Sequence, residues 1–211
     1  EASTSQRHFK GFVQDLFVRK KNGANTWTLG FNTYSWGVTD GYNPLDVVNP
    51  RDFSDPLHAK KMGSFGLHYS RALTSSLQIE TLYIPVQTTS ILPAEKSRWL
   101  PRRIFLPAGE DMQILLPDHV DYSIRHAEDL NALQNNFGAR LLLTEGDREC
   151  GLVFFDGMSN MPVIRADIVT GPPLSLFPII VLAVDPNVVV TPVYYRVQTT
   201  GASLVWSFDS I

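Results

Sequence analysis

Apolar and polar residues alternate along much of the chain. In "TWTLGFNTYSWG", Trp27, Leu29 and Phe31 alternate with Thr28, Gly30 and Asn32. In "MGSFGLHYSRAL", Phe65, Leu67 and Tyr69 stand against Ser64, Gly66, His68 and Ser70. "LQIETLYIP" sets Leu77, Ile79 and Tyr83 against Gln78 and Glu80, and "FGARLLLT" sets Phe137, Ala139, Leu141 and Leu143 against Gly138, Arg140 and Thr144. "TGASLVWSF" does the same with Ala202, Leu204, Trp206 and Phe208. Successive side chains of a strand point to opposite faces, so this period predicts strands with one apolar face and one small or polar face. Residues 9–20 and 149–157 are apolar enough to add two strands, without a clear assignment of faces. That makes seven. The one helix-like stretch is "HAEDLNALQNN", residues 126–136.

The connections sort by length. Residues 20–25 (with Asn22-Gly23), 73–76 and 145–148 (with Gly146-Asp147) are tight turns. Residues 37–61, 86–136 and 159–190 are long loops, and tight and long connections alternate strictly. Antiparallel membrane barrels have this arrangement, with short turns at one end and long loops at the other. The expectation is therefore an all-β, antiparallel transmembrane β-barrel forming a single domain over residues 1–211. Its apolar faces would meet lipid, and its small and polar faces would line a watery interior. The alternative architecture is a soluble β-sandwich, as in binding or capsid domains.

Composition narrows the function classes. A formal charge of −3 gives no basic surplus for a nucleic-acid partner, and the single cysteine excludes a disulfide framework and a cysteine zinc site. No apolar run approaches the roughly 18 residues of a spanning helix, whereas a barrel strand needs only about 9–11. The first ten residues, "EASTSQRHFK", do not form a signal peptide. No cofactor motif is visible. Neither Gly-x-Ser-x-Gly nor His-Glu-x-x-His occurs, and the Ser64, His68 and Ser70 arrangement is ordinary for a polar strand face, so no enzyme is expected.

The stretch "TLGFNTYSWGVTDGYNPLDVVNPRDF" resembles the Trp-Gly, Asp-Gly, Asn-Pro and Asp pattern of bacterial outer-membrane β-barrel proteins, notably the alginate-export-like porins and related barrels. "GLVFFDGMSNMPV" with "VTPVYYRVQTTGASLVWSF" is similar to a strand, outer loop and return strand of the same families. The resemblance implies the outer membrane of a Gram-negative bacterium, with membrane lipid as the principal partner. Seven strands, where bacterial single-chain barrels have an even number, imply a segment of a larger barrel or one completed by other chains. The implied function is a channel for small hydrophilic or amphipathic solutes. A plugged barrel that binds a partner is the alternative.

Candidate residues follow from that reading. Glu80, Arg140 and Arg196 are expected to face the lumen and set its selectivity. Arg98, Arg102, Arg103, Glu110 and Asp111 are expected to constrict the pore, as charged rings do in channels. In "DGYNPLDVVNPRD", Asp40, Asn43, Asp46, Asn49 and Asp52 recur every third residue. Turn chemistry explains these residues and the Asn-Pro pairs; a calcium site at Asp40, Asp46 and Asp52 is the sharper alternative.

Overall fold

The computed structural model describes residues 11–39, 43–100, 112–115, 121–124, 131–170 and 180–207. The chain is all-β. Its strands are β1 (Leu16–Asn22), β2 (Asn25–Asn32), β3 (Arg51–Asp52), β4 (Lys60–Lys61), β5 (Ser64–Ala72), β6 (Leu77–Val86) and β7 (Met112–Leu115). They continue with β8 (Asp121–Ile124), β9 (Gln134–Glu145), β10 (Arg148–Met158), β11 (Val163–Thr170), β12 (Ile180–Val193) and β13 (Arg196–Trp206). Seven of these form one antiparallel sheet in the order β1-β2-β5-β6-β9-β10-β13, and they match the seven strands that the alternation predicts.

All three tight turns fall where the sequence puts them. Gly23 and Gly146 sit at φ +57° and +54°, left-handed values that glycine adopts without a Cβ penalty. The sheet is a ladder of nearest neighbours with β1 and β13 at its edges, and among the described residues it does not close into a barrel. With seven antiparallel strands, β1 and β13 run in the same direction. A direct seam between them would be parallel, unlike every other pairing in this sheet.

The long connections differ from the expectation of loops without regular structure. Residues 86–136 contain β7 and β8, and residues 159–190 contain β11 and much of β12. These strands form a second sheet, in which β11 pairs antiparallel with β12 while β7 and β8 pair parallel to it. The run of Val188, Val189 and Val190 in β12 explains this, since β-branched residues favour a pleated surface. The helix-like stretch is also corrected. Asn131–Leu133 is one 3-10 turn and β9 begins at Gln134, so the final residues of that stretch are strand; residues 126–130 lie outside the described residues. No helix among the described residues is long and apolar enough to cross a membrane.

Candidate functional site: a sheet with one covered and one open face

The two faces of the seven-stranded sheet have opposite fates. One face is covered by the segment between β2 and β5. Tyr34, Trp36, Leu45 and Val48 pack there against Leu82, Ile84, Val153 and Phe155, forming the principal buried cluster. Each large side chain removed from water in this way contributes about 1.5–3 kcal/mol. The other face leaves many of its large apolar side chains exposed, with Phe31, Ile79 and Leu141 half-buried among them. Val18, Leu29, Leu67, Tyr83 and Phe137 form one continuous row across five strands, and all are exposed. The contrast is large: Leu67 is 39% and Leu152 59% exposed, against 1% for Leu82 and 0% for Phe155.

The covering segment is stiff because its asparagines bond the backbone. Asn49 accepts from the Tyr34 N–H at 2.7 Å and donates to the carbonyls of Met62 at 2.8 Å and Asn32 at 3.1 Å, tying both ends of the excursion together. Asn43 donates to the Trp36 carbonyl at 3.0 Å and accepts from the Leu45 N–H at 3.2 Å. The adjacent prolines fix φ and hold the preceding residues extended. The repeated Asn-Pro units are thus the hinges of a shaped loop.

The carboxylate of Asp46 is buried and paired with both Arg51 and Lys61, the latter at 2.7 Å. Lys61 also donates to the Tyr34 carbonyl at 3.1 Å and Ser35 Oγ at 2.8 Å. Asp52 instead accepts from the N–H and hydroxyl of Ser54. Of the three residues of the calcium alternative, Asp46 has its charge met by two cations, Asp52 serves its own turn, and Asp40 lies outside the described residues. Among the described residues no three His, Cys, Asp or Glu side chains gather around a cation site.

Beyond the apolar cluster, towards the tight turns, the covered face becomes polar. Ser70, Glu80 and Arg140 lie in register across β5, β6 and β9. Glu80 accepts from Gln78 Nε2 at 2.8 Å and lies 3.7 Å from His68 Nε2. Arg140 donates to Glu149 at 3.3 Å, while its buried Nε and the nearby Ser203 Oγ have no hydrogen-bond partner among the described residues. His68 lies beside the Tyr34 ring, centroids 5.6 Å apart, where the polar band meets the covering loop. Burial of the Tyr34 phenol pushes its pKa up to about 12. Outside the sheet, a hydrogen bond from His58 holds the exposed Asp55 carboxyl below its usual range.

Glu80 and Arg140 therefore share a face, as expected from the sequence. Arg196 does not join them. It lies in register with Met158, in phase with Gln198, Leu204 and Trp206 on the opposite face, and bonds Asp156 and the carbonyls of Gln134 and Asn135. The pairing along β10 explains the displacement: Val153 lies opposite both Arg140 and Gly201, so even-numbered residues of β13 point to the open side. Arg98 is exposed, with its guanidinium 4.7 Å from the Trp99 ring centre. Arg102, Arg103, Glu110 and Asp111 lie outside the described residues.

Sequence reasoning placed Gln78 on the polar face beside Glu80 but missed Glu149 and the apolar half of the covered face. Leu82, Ile84, Val153 and Phe155 stand where small or polar, water-facing residues are expected. The signal was hidden because β10 is apolar on both faces near its middle. Comparison with protein-family models, curated proteins and solved structures returned no match.

Proposed function

We propose that the seven-stranded sheet is part of the wall of an outer-membrane β-barrel and that its covered face lines a conduit for small hydrophilic or amphipathic solutes. The observation that carries this reading is the inverted burial. A sheet in water buries its greasy side, but here the chain covers the mixed side with its own loop and leaves a broad apolar surface open. Exposed apolar patches beyond a few hundred Å² mark a partner or a membrane. The alternation of tight turns and long excursions supports the same reading, as does the resemblance of the Trp36–Asp52 region to porin-like barrels.

In this reading the loop around Trp36 narrows the conduit, and Glu80, Arg140 and Glu149 form its charged band, with His68 beside them. Ions would be discriminated by these side chains, since fixed charges at a constriction favour the opposite sign. Single-channel recording in a planar bilayer tests this. Conducting insertions whose cation-to-anion preference changes in Glu80→Gln and Arg140→Gln support a conduit. Ion-impermeable insertions favour the plugged, partner-binding barrel, for which the tight seating of Trp36 is the specific argument. A protein that stays dispersed without detergent favours the soluble sandwich.

A further inference from the structure

Several cations of the long connections are paired, Arg51 and Lys61 with Asp46 and Arg196 with Asp156, while Lys60, Lys96 and Arg98 there form no ion pair among the described residues. At the tight-turn end, Lys20, Arg71 and Arg148 are exposed, and no ion pair to any of them exists among the described residues. All three belong to the open face. Lys20 lies in register with Trp27, Arg71 with Ile79, and Arg148 with Trp206. Aromatic rings accompany them: Trp27 and Tyr69 lie 4.3 Å apart, and the Arg148 guanidinium sits 4.2 Å from the Trp206 ring centre. The acids of this end are Glu145, opposite Arg148 without pairing to it, Asp147 in the turn and, on the covered face, Glu149, which is paired with Arg140.

We propose that this rim binds the phosphates of anionic phospholipid headgroups. The inference rests on the membrane-wall reading and gives the wall a specific lipid preference. Arginine presents a fork of N–H donors that fits a phosphate, and lysine adds a mobile point charge. Tryptophan and tyrosine favour the boundary where one side of the ring is apolar and the other wet. The apolar band of Leu141, Leu143, Leu152 and Leu204 begins beside these residues, which places the cations where acyl chains give way to phosphates. The charge complementarity selects anionic over zwitterionic lipid.

The test is partition of the chain into vesicles of phosphatidylcholine alone and of phosphatidylcholine mixed with phosphatidylglycerol. Each basic residue near an anionic surface is worth about fivefold, so the mixed vesicles should be preferred by roughly a hundredfold. The combined variant Lys20→Gln, Arg71→Gln, Arg148→Gln should lose that preference while still entering phosphatidylcholine. The charge-preserving set Lys20→Arg, Arg71→Lys, Arg148→Lys should retain most of it. Equal partition of the unmodified chain into both vesicles, or an undiminished preference in the glutamine variant, overturns the rim proposal alone. Failure to enter either vesicle overturns the membrane-wall reading. Equal stabilisation of the detergent-bound chain by inorganic phosphate would reassign the rim to a free anion and overturn the lipid proposal.

Discussion

Trp36 lies directly against Gly138: its ring atoms occupy the space into which a Cβ at that position would project. The covering loop is thus seated on a strand position that only glycine fills without displacing it. Leu45 occupies the same kind of space above Gly201, so the loop is fitted to the sheet at two separated points.

A bulky side chain at residue 138 should unseat the loop. Gly138→Val is expected to destabilise the protein by about 1–3 kcal/mol, the usual cost of forcing extra carbons into a packed core. Denaturation in detergent should show the loss, together with a red-shifted tryptophan emission as Trp36 meets water. Unchanged stability and emission would mean that the loop does not rest there.

Asp46 should anchor the loop through charge. Its side chain is 7% exposed, whereas those of Arg51 and Lys61 are 28% and 22% exposed. Asp46→Ala therefore leaves two partly screened cations without their shared anion. The expected cost lies towards the low end of the roughly 3–5 kcal/mol seen when a buried pair loses one member. Limited proteolysis should cut between residues 37 and 61 in the variant before the sheet is attacked. Equal resistance of the two proteins would contradict this role.

Much of this arrangement is legible in the sequence, and its failures have physical causes. The strands β2, β5, β6, β9 and β13 are readable because their faces differ sharply, as Leu67 and His68 do. β10 is ambiguous because Val153 and Phe155 make its covered side as apolar as Leu152 and Phe154 make its open side. Arg196 shares the even phase of Leu204 and Trp206, so the alternation of β13 itself sets it on the face opposite Glu80 and Arg140. The Asn-Pro loop is readable as stiff, but its landing place is not: Gly138 and Gly201 look like ordinary small residues until Trp36 and Leu45 are set against them. Of the strands inside the long connections, β7 and β8 are missed because each has only four residues, and β11 and β12 because "VIRADIVT" and "IVLAVDPNVVVTPV" do not alternate apolar with polar.

Alkaline titration should isolate the Tyr34 phenol. Its pKa rises from 10.0 to about 12 because burial disfavours the phenolate. A group whose folded pKa is raised contributes stability that is fully present below the unfolded value. That contribution is lost as pH climbs through the folded value. Stability attributable to Tyr34 should thus be intact below about pH 10 and should fall away towards pH 12. Ultraviolet titration should show a late phenolate component that Tyr34→Phe removes. Persistence of that component in the variant would assign it elsewhere.

The strand directions exclude an antiparallel seam between the two edge strands. Since β1 and β13 run the same way, an antiparallel closure requires an odd number of additional strands between them. A second copy in the same membrane orientation would again bring β1 beside β13 in parallel. With Cys150→Ser removing the native thiol, Val18→Cys combined with Thr200→Cys should form neither an internal nor an intermolecular disulfide in detergent. An efficient cross-link would show that the edges meet directly.

The central claim is that the open apolar face meets acyl chains, and depth-dependent quenching tests it most directly. In a Cys150→Ser background, a fluorophore is attached at Leu67→Cys or Leu152→Cys and, for comparison, at Glu80→Cys, after reconstitution into vesicles containing brominated lipid. The account predicts strong quenching by the bromines at Leu67 and Leu152 and little at Glu80. Labels at Leu67 and Leu152 that escape the bromines, whether quenched from water or shielded by protein, would contradict it.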